Sequence, residues 1–457
     1  MSAKSYLFSI VLFACLLPVF VIGIAAQEGT PQPAPATMPA QHPWLVNSGR
    51  AMTSTISITQ PLFGIERQLS PAAQTAADRY QPAVAYNSRH NEYLVVWHNR
   101  WPKGGRDVYA RRVDAQGRLL SWFAVATGDK DKFQPSVAYN HAADEYLIVW
   151  MFDAKEDGSQ YEIFGRRVAW DGSYQMPEFQ IITWPQRSMW SPRVVWNSAH
   201  NEYLVVWSAL DTSGGQPGVP SDISSMRLAA DGAILTGRNL TTSAMPSQAD
   251  VVYNQTRDEY FVVFVRSFSQ GASGNDIYGL RVSWQNNVLT PPGLIKINDD
   301  PFDQNQPSIA TNGQQRYVMA WESQDSQGRH IIHGQDLDLD GKPLQGWAKF
   351  YGEGMTRPAV AAQQGPSERY LVTWEETISG GTAVMASMFG PDIGLGGRYA
   401  ISYAAFWESN APAVAKGGTG YLIAYEGDAA GDPTVQRHIY GRTMTSQALF
   451  LPLLKKP

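Results

Sequence analysis

The chain has 457 residues, of which 44% are hydrophobic, 12% aromatic and 17% charged. This apolar content excludes an intrinsically disordered protein, and the length allows two or three ordinary domains or one large array of repeats. A formal net charge of −5 argues against a globally basic protein that binds nucleic acid.

Residues 1–26 predict a targeting segment. A lysine precedes an apolar run that ends in small residues, which is the pattern of a secretory signal peptide. We expect cleavage after Ala25 or Ala26, but the run is long for a signal peptide, so an uncleaved signal anchor is the alternative. The only cysteine, Cys15, lies in this run, so the cleaved chain would have to be stable without disulfides. We therefore predict an extracellular or cell-surface protein, with membrane contact only through this segment if it stays uncleaved.

Residues 27–53 are rich in Pro, Ala and Thr and predict a disordered linker, because such a segment cannot bury a core. Residues 54–447 form the predicted folded domain. Residues 448–457 are an apolar-basic C-terminal tail, which predicts either a surface-anchoring tail or a final edge strand with a charged end.

A repeat organises the folded domain. Each copy has a first strand, a tight turn and an apolar second strand, and the clearest copy reads "QPAVAYNSRHNEYLVVW". The copies recur at roughly 50 to 60 residues, the period of a propeller blade and too long for a solenoid coil. A third strand such as "DVYARRV", a turn and a fourth strand follow in each unit, joined as hairpins. The copies begin at Gln81, Gln134, Ser191, Gln248, Gln306, Arg357 and Ala411.

The second strand is apolar on both faces. Tyr93, Val95 and Trp97 point one way, and Leu94 and Val96 point the other, because side chains alternate along a strand. A two-layer sandwich would leave one face polar, whereas radially packed blades bury both. We therefore predict an all-β fold, a seven-bladed β-propeller of four-stranded antiparallel blades, preceded by the signal segment and the Pro-rich linker.

Closure of the ring requires a fourth strand for the last blade. Residues 61–69 precede the first repeat in the place that such a strand would occupy, so we favour pairing of the N-terminal strand with the last blade. The apolar stretch that begins at Ala448 is the alternative.

The layout "QP-AVAYN-turn-EYLVVW-loop-DIYG-RV" resembles the repeats of secreted bacterial β-propellers of the TolB type. The resemblance covers about residues 81–445. It departs from the TolB pattern at the first turn, where "YNSRHNEY" stands in place of "SPDG". The resemblance implies a fold but no partner, because propellers carry many functions.

Residues that recur in blade after blade are expected to be structural. Large aromatic residues close each second strand, and a carboxylate starts the second strand in the first four blades, as at Glu92. We expect the aromatic residues to pack between blades and the carboxylates to have a structural role rather than to form a glycosidase pair. The aromatic residues are Trp97, Trp150, Trp207, Phe264, Trp321, Trp374 and Tyr425.

No cofactor is predicted, and calcium is the one metal that the sequence suggests. Asp336, Asp338, Asp340 and Gly341 alternate as in a calcium loop, but Trp347 stands where the loop needs its bidentate acid. The nucleophile elbow, the H-E-x-x-H zinc motif and the P-loop are all absent from the sequence.

The loops between the second and third strands are long and differ from blade to blade, as in "HNRWPKGGRD". They share one face with the connections between blades, and variable loops on a rigid scaffold are where function concentrates. Our first hypothesis is a non-catalytic extracellular binding or adhesion module that recognises a glycan or a protein, but no nucleic acid, through aromatic residues of this face. The candidate ligand-binding residues are Trp101, Phe133, Phe152, Trp184, Trp190, Phe302 and Trp407.

The second hypothesis is a propeller hydrolase or lyase that acts on polysaccharide with acidic residues in the central funnel. It requires two or three carboxylates of the long-loop face to converge. The candidates are Asp129, Asp153, Asp211, Asp303, Glu375 and Glu376, from which the sequence selects no pair.

Overall fold

The computed structural model describes most of the repeat region. No helix occurs among the described residues. The described residues are 57–71, 77–184, 186–212, 219–241, 246–267, 274–290, 293–298, 301–313, 315–324, 327–350, 352, 354–363, 369–379, 381–390, 394–402, 406–429 and 436–450. The predicted signal segment, the predicted linker and residues 451–457 lie outside them. No helix long and apolar enough to cross a membrane occurs within these ranges.

The described residues form 29 strands in seven antiparallel sheets. Blades one to three contain β3(Asp78–Asn87), β4(Glu92–Arg100), β5(Arg106–Asp114), β6(Leu119–Ala126), β7(Lys132–Asn140), β8(Glu145–Asp153), β9(Tyr161–Ala169), β10(Phe179–Ile182), β11(Arg187–Asn197), β12(Glu202–Asp211), β13(Val219–Ala229) and β14(Ile234–Asn239). Blades four to six contain β15(Pro246–Asn254), β16(Glu259–Ser267), β17(Asn275–Ser283), β18(Leu294–Lys296), β19(Gln304–Thr311), β20(Tyr317–Gln324), β21(His330–Leu337), β22(Pro343–Phe350), β23(Thr356–Ala362), β24(Tyr370–Ile378), β25(Gly381–Gly390) and β26(Gly394–Ala400). Blade seven contains β27(Phe406–Lys416), β28(Gly420–Ala429), β29(Arg437–Phe450), β1(Ser57–Phe63) and β2(Arg67–Gln68). The predicted seven-bladed propeller of four-stranded blades is confirmed.

The second strand of each blade is buried on both faces. Leu94 and Val96 of β4 pack in one cluster with Tyr146, Ile148 and Trp150 of the next blade. Seven clusters are built in this way from residues of two neighbouring blades. One lies at each junction between blades, including the junction of blade seven with blade one. The seven aromatic residues that close the second strands are each at most 3% exposed. Burial of apolar area in these junctions holds the blades in a closed ring.

The N-terminal strand closes the ring. β1 pairs antiparallel with β29 along its whole length, from Ser57 opposite Phe450 to Phe63 opposite Met444, and β2 pairs with β29 further along. The N-terminal segment is therefore the outermost strand of blade seven, the arrangement that the sequence favours. Residues 448–450 form the end of β29 and pair with the beginning of β1.

Each innermost strand contains a bulge at the first residue of the repeat. Gln81 has a φ of 53°, and the pairing register between β3 and β4 shifts between Tyr80 and Ala83. The corresponding residues of the other six blades have φ values of 49° to 53° and similar register shifts. Proline follows in six of the seven repeats, and bulges are among the few places in a sheet that accept proline.

Charged pairs cross the blades near the short turns. Glu92 at the start of β4 makes a two-pronged ion pair with Arg112 of β5, with nitrogen–oxygen distances of 2.8 and 2.9 Å. Equivalent pairs occur in the next three blades, so the recurring carboxylates stabilise the strand pair, as the structural interpretation expects. His90 also bridges to the next blade, where it stacks on Trp170 at 3.9 Å and its Nε2 lies 2.8 Å from Asp144.

Replacement of one junction aromatic should be far more damaging than replacement of an exposed one. We expect Trp150→Ala to lower the free energy of unfolding by about 3–5 kcal/mol, because it leaves a cavity between two blades. The matched control is Trp122→Ala on β6, since Trp122 is 46% exposed, with an expected loss below about 1 kcal/mol. Urea denaturation measures both, and equal losses would contradict the two-faced burial of β8.

Candidate functional site

A cavity of about 950 Å³ opens at the centre of the ring. Its wall contains the first residues of the innermost strands of all seven blades, including the bulge residues. His98 and Arg100 at the end of β4 and Arg106 at the start of β5 also line it, so it opens on the face of the long loops. We call this cavity the funnel.

Five aromatic rings form a continuous wall along one side of the funnel, which we call the aromatic arc. Tyr80 stacks on His98 with ring centroids 5.6 Å apart, and His98 meets the edge of Phe133 at 6.2 Å. Phe133 contacts Tyr161 at 5.2 Å, and Tyr161 contacts Trp190 at 4.8 Å, both edge to face. The arc spans blades one to three, and its edge-to-face contacts are the favoured geometry for aromatic pairs.

The funnel is positively charged although the whole chain is negative. Among the described lining residues there are more arginines than carboxylates, and the carboxylates are Asp250 and Glu426. The arginines, which we call the funnel arginines, are Arg100, Arg106, Arg193, Arg357 and Arg437. Because the protein walls of a cleft have a low dielectric constant and focus the electric field, a local excess of one sign attracts oppositely charged ligands more strongly than it would on a flat surface.

The two carboxylates of the funnel are held by hydrogen bonds. Glu426 accepts the backbone N–H of Gln81 at 2.7 Å and a hydrogen bond from Arg437 at 3.2 Å. Asp250 accepts the backbone N–H of Ile309 at 3.0 Å. Burial is the main cause that raises the pKa of both carboxyl groups above the ordinary values of Asp and Glu. Asp250 thus joins the innermost strands of blades four and five, and Glu426 joins the second strand of blade seven to the innermost strand of blade one.

His98 is neutral in the folded protein. Burial, followed by the positive charges of Arg106 and then Arg100, lowers the pKa of its imidazole to about 3. Burial is also the main cause that raises the pKa of the Tyr80 phenol, which lies beneath the guanidinium of Arg437 at 5.3 Å. Near neutral pH the aromatic arc therefore carries no charge of its own, and the charge of the funnel comes from its arginines.

Two of the seven predicted ligand-binding residues lie in the aromatic arc, Phe133 and Trp190. Four of the others lie outside the lining of the funnel: Trp101, Phe152, Trp184 and Phe302. The indole of Trp101 donates a hydrogen bond to Asp107 at 2.7 Å. Trp184 is 42% exposed, with the guanidinium of Arg187 over its ring at 4.5 Å. The side chain of Trp407 lies outside the described part of the structure.

Sequence reasoning missed Tyr80, His98 and Tyr161, although the repeat contains a signal for them. Tyr80, Phe133 and Trp190 each stand directly before the bulge residue of their blade. Blades four to seven have Ser, Asn, Thr and Asn at this position. His98 directly follows the junction aromatic of its blade, and Tyr161 begins the third strand of blade two. Repeat positions that change character between blades therefore mark the wall of the funnel.

None of the six acids proposed for catalysis belongs to the described lining of the funnel. Glu375 pairs with Arg357 at 2.9 Å, and Asp303 accepts the backbone N–H of Asn275 at 2.8 Å. Asp153 accepts backbone N–H groups of its own loop. Each of these three carboxylates accepts hydrogen bonds from a loop or forms an ion pair, and the three lie at different places around the ring.

The acidic residues considered for calcium are engaged with the protein itself. Asp340 pairs with Arg257 at 2.6 Å, and Asp336 pairs with Arg316 at 3.2 Å. Asp338 accepts two backbone N–H groups of its own turn. Within the described ranges no group of three or more His, Cys, Asp or Glu side chains is placed to hold a metal ion.

Comparison with known proteins supports the fold. No family model and no curated protein matches the chain. A solved structure described as a polysaccharide lyase, an ulvan lyase, shares 8% identity over 82% of this chain and 96% of its own, with a TM-score of 0.55. A protein of unknown function from Dyadobacter fermentans shares 11% identity over 85% and 99%, with a TM-score of 0.48. The β-propeller domain of the trilobed protease from Pyrococcus furiosus shares 10% identity over 83% and 100%, with a TM-score of 0.46. The TolB-type repeat layout and export from the cell stay predictions.

The buried His98 should make the protein less stable in acid. Its folded-state pKa of about 3 lies below the ordinary histidine value of 6.5, so the unfolded chain binds the extra proton first. The contribution of neutral His98 is therefore complete above about pH 6.5 and is lost as the pH falls toward 3. We expect His98→Gln to flatten the fall in the free energy of unfolding over that interval, as measured by urea denaturation at several pH values.

The control for this experiment is His141→Gln, since His141 is exposed on the opposite face. Its profile should follow that of the unsubstituted protein. An unchanged slope in the His98→Gln protein would contradict a buried neutral imidazole at this place.

Proposed function

We propose that the protein is an extracellular binding module whose funnel holds an acidic carbohydrate. The observation that carries the proposal is the aromatic arc inside an arginine-lined cavity. Flat aromatic faces suit the apolar faces of sugar rings, and guanidinium groups form paired hydrogen bonds with carboxylates and sulfates. A neutral sugar would make no use of the arginines, and a simple anion would make no use of the arc.

The shape of the site favours a narrow ligand over a folded protein. The funnel is concave, with a volume of about 950 Å³, in the range of pockets that enclose small ligands or chain segments. A protein partner would need a broad surface of at least about 1,000 Å² around the rim as well as the funnel. The aromatic arc lies within the cavity rather than on such a rim, which supports a glycan as the partner.

Binding is better supported than catalysis. One solved propeller of similar fold is a polysaccharide lyase bound to -[GlcA(1-4)Rha3S]-, but at 9% identity this likeness speaks for the fold. The proposed catalytic acids lie outside the funnel lining that the structure describes. His98, with its pKa lowered to about 3, is a weak base for proton abstraction near neutral pH.

A panel of purified polysaccharides tests the proposal. We expect the protein of residues 27–457 to bind polygalacturonate, alginate or sulfated glycans in calorimetry, more weakly as salt rises, and not to bind neutral dextran. Trp190→Ala should lower the affinity about tenfold or more, equal to about 1.4 kcal/mol, because an aromatic anchor is lost. The absence of binding to every acidic glycan would refute the proposal.

The control variant is Trp122→Ala, which removes an exposed indole from β6, outside the lining of the funnel. It should leave the affinity unchanged. The same mixtures can be followed by ultraviolet absorbance for unsaturated uronates and by reducing-end assay. Release of either product would move the assignment from binding to lyase or hydrolase activity.

We also propose that residues 1–26 direct export, on the pattern of one basic residue, an apolar run and small residues. N-terminal sequencing of the protein released into the medium by a bacterial host should start at Ala26 or Gln27. Retention of the full chain in the membrane fraction would instead identify the segment as a signal anchor.

A further inference from the structure

Arg100 and Arg106 face each other across a strand pair at the mouth of the funnel. They are the last directly opposed residues of β4 and β5 before the connecting loop. Like charges in directly opposed positions of an antiparallel pair are unfavourable. Since the pairing of two arginines lowers the stability of the fold, either a nearby negative charge offsets it or it serves a function.

The compensation within the protein is partial, because Asp78 of β3 stands directly opposite Arg100 on the other side of β4. Arg106 has one carboxylate partner, Asp131, at 3.5 Å, and its guanidinium lies over the ring of Phe133 at 4.6 Å. Arg100 is exposed and makes no ion pair with any residue that the structure describes. The neutral imidazole of His98, two residues before Arg100, does not offset the positive charge of the two arginines.

Two of the other funnel arginines have closer or more numerous acidic partners, whereas Arg193 has Asp250 at 3.9 Å. Arg357 pairs with Glu375 at 2.9 Å, and Arg437 lies within 3.2 Å of Glu426 and 3.8 Å of Asp428. Arg357 and Arg437 thus have close acidic partners, whereas blade one brings two weakly paired arginines, Arg100 and Arg106, to one place. This is also where the aromatic arc begins.

We propose that Arg100 and Arg106 form the subsite for the acidic group of the bound glycan, a uronate carboxylate or a sulfate half-ester. The subsite rests on the proposed function. The sugar ring that carries the acidic group packs against Tyr161, which contacts Phe133 beside Arg106. A bound anion reduces the repulsion between the two guanidinium groups. The free energy that this repulsion costs in the free protein is recovered when an acidic ligand binds, which makes the site selective for acidic ligands.

The test compares Arg100→Gln and the double variant Arg100→Gln/Arg106→Gln with a matched control. The control is Lys103→Gln, which removes the same charge from the exposed tip of the same loop, outside the lining of the funnel. For polygalacturonate and dextran sulfate we expect a loss of affinity of about tenfold in the single variant and more in the double. The control should change the affinity by less than about twofold.

The two ligands separate the sources of negative charge. Preference for polygalacturonate over its methyl ester, lost in the double variant, identifies a carboxylate. Stronger loss with dextran sulfate identifies a sulfate. If the unsubstituted protein binds acidic glycans and the double variant binds them equally well, the subsite is overturned while the proposed function stands.

A second measurement keeps the subsite testable if no polymer binds. Without ligand, Arg100→Gln should melt at a temperature similar to that of the unsubstituted protein, because the repulsion from Arg106 and the attraction to Asp78 are removed together. Galacturonate and inorganic sulfate should each raise the melting temperature of the unsubstituted protein more than that of the double variant. Equal shifts in both proteins would overturn the subsite, whatever the polymers do.

Discussion

The structure depends on the burial of the second strand of each blade on both of its faces. A single blade cannot cover both faces, because each junction cluster takes residues from two neighbouring blades. Stability is therefore a property of the closed ring and not of one repeat. Pairing of β1 with β29 joins the two ends of the ring without a disulfide, in a chain whose only cysteine is Cys15.

Because the junctions between blades supply the stability, the residues at the inner ends of the blades can differ in identity from blade to blade. The bulge residue takes nearly the same φ in all seven blades, although it is Gln, Ser, Arg or Ala. The backbone of the funnel is thus nearly constant, while the residue before the bulge is aromatic in blades one to three and polar in the others. Because the scaffold fixes where these side chains begin, their identity alone sets the chemistry of each sector of the wall.

The sequence was sufficient to predict the ring because its strongest signals are local and repeated. The two-faced apolar strand predicted blades stacked side by side, and the N-terminal strand was correctly favoured as the closing strand. The funnel wall was harder to predict, because the side that a residue faces depends on the register shift at the bulge. Phe133 and Trp190 were predicted because they are aromatic residues that do not recur in every repeat. Tyr80 occupies the equivalent position of blade one, but it precedes the first residue of the first repeat and was not predicted.

The opposite signs of the whole chain and of the funnel bear on selectivity. A net charge of −5 repels polyanions from most of the surface, while the funnel arginines attract them at the axis. A thin, flexible acidic chain can enter with a single residue and place its charge beside Arg100 and Arg106. The charge distribution thus favours narrow acidic ligands without a globally basic surface, because only a ligand that enters the cavity meets the arginines.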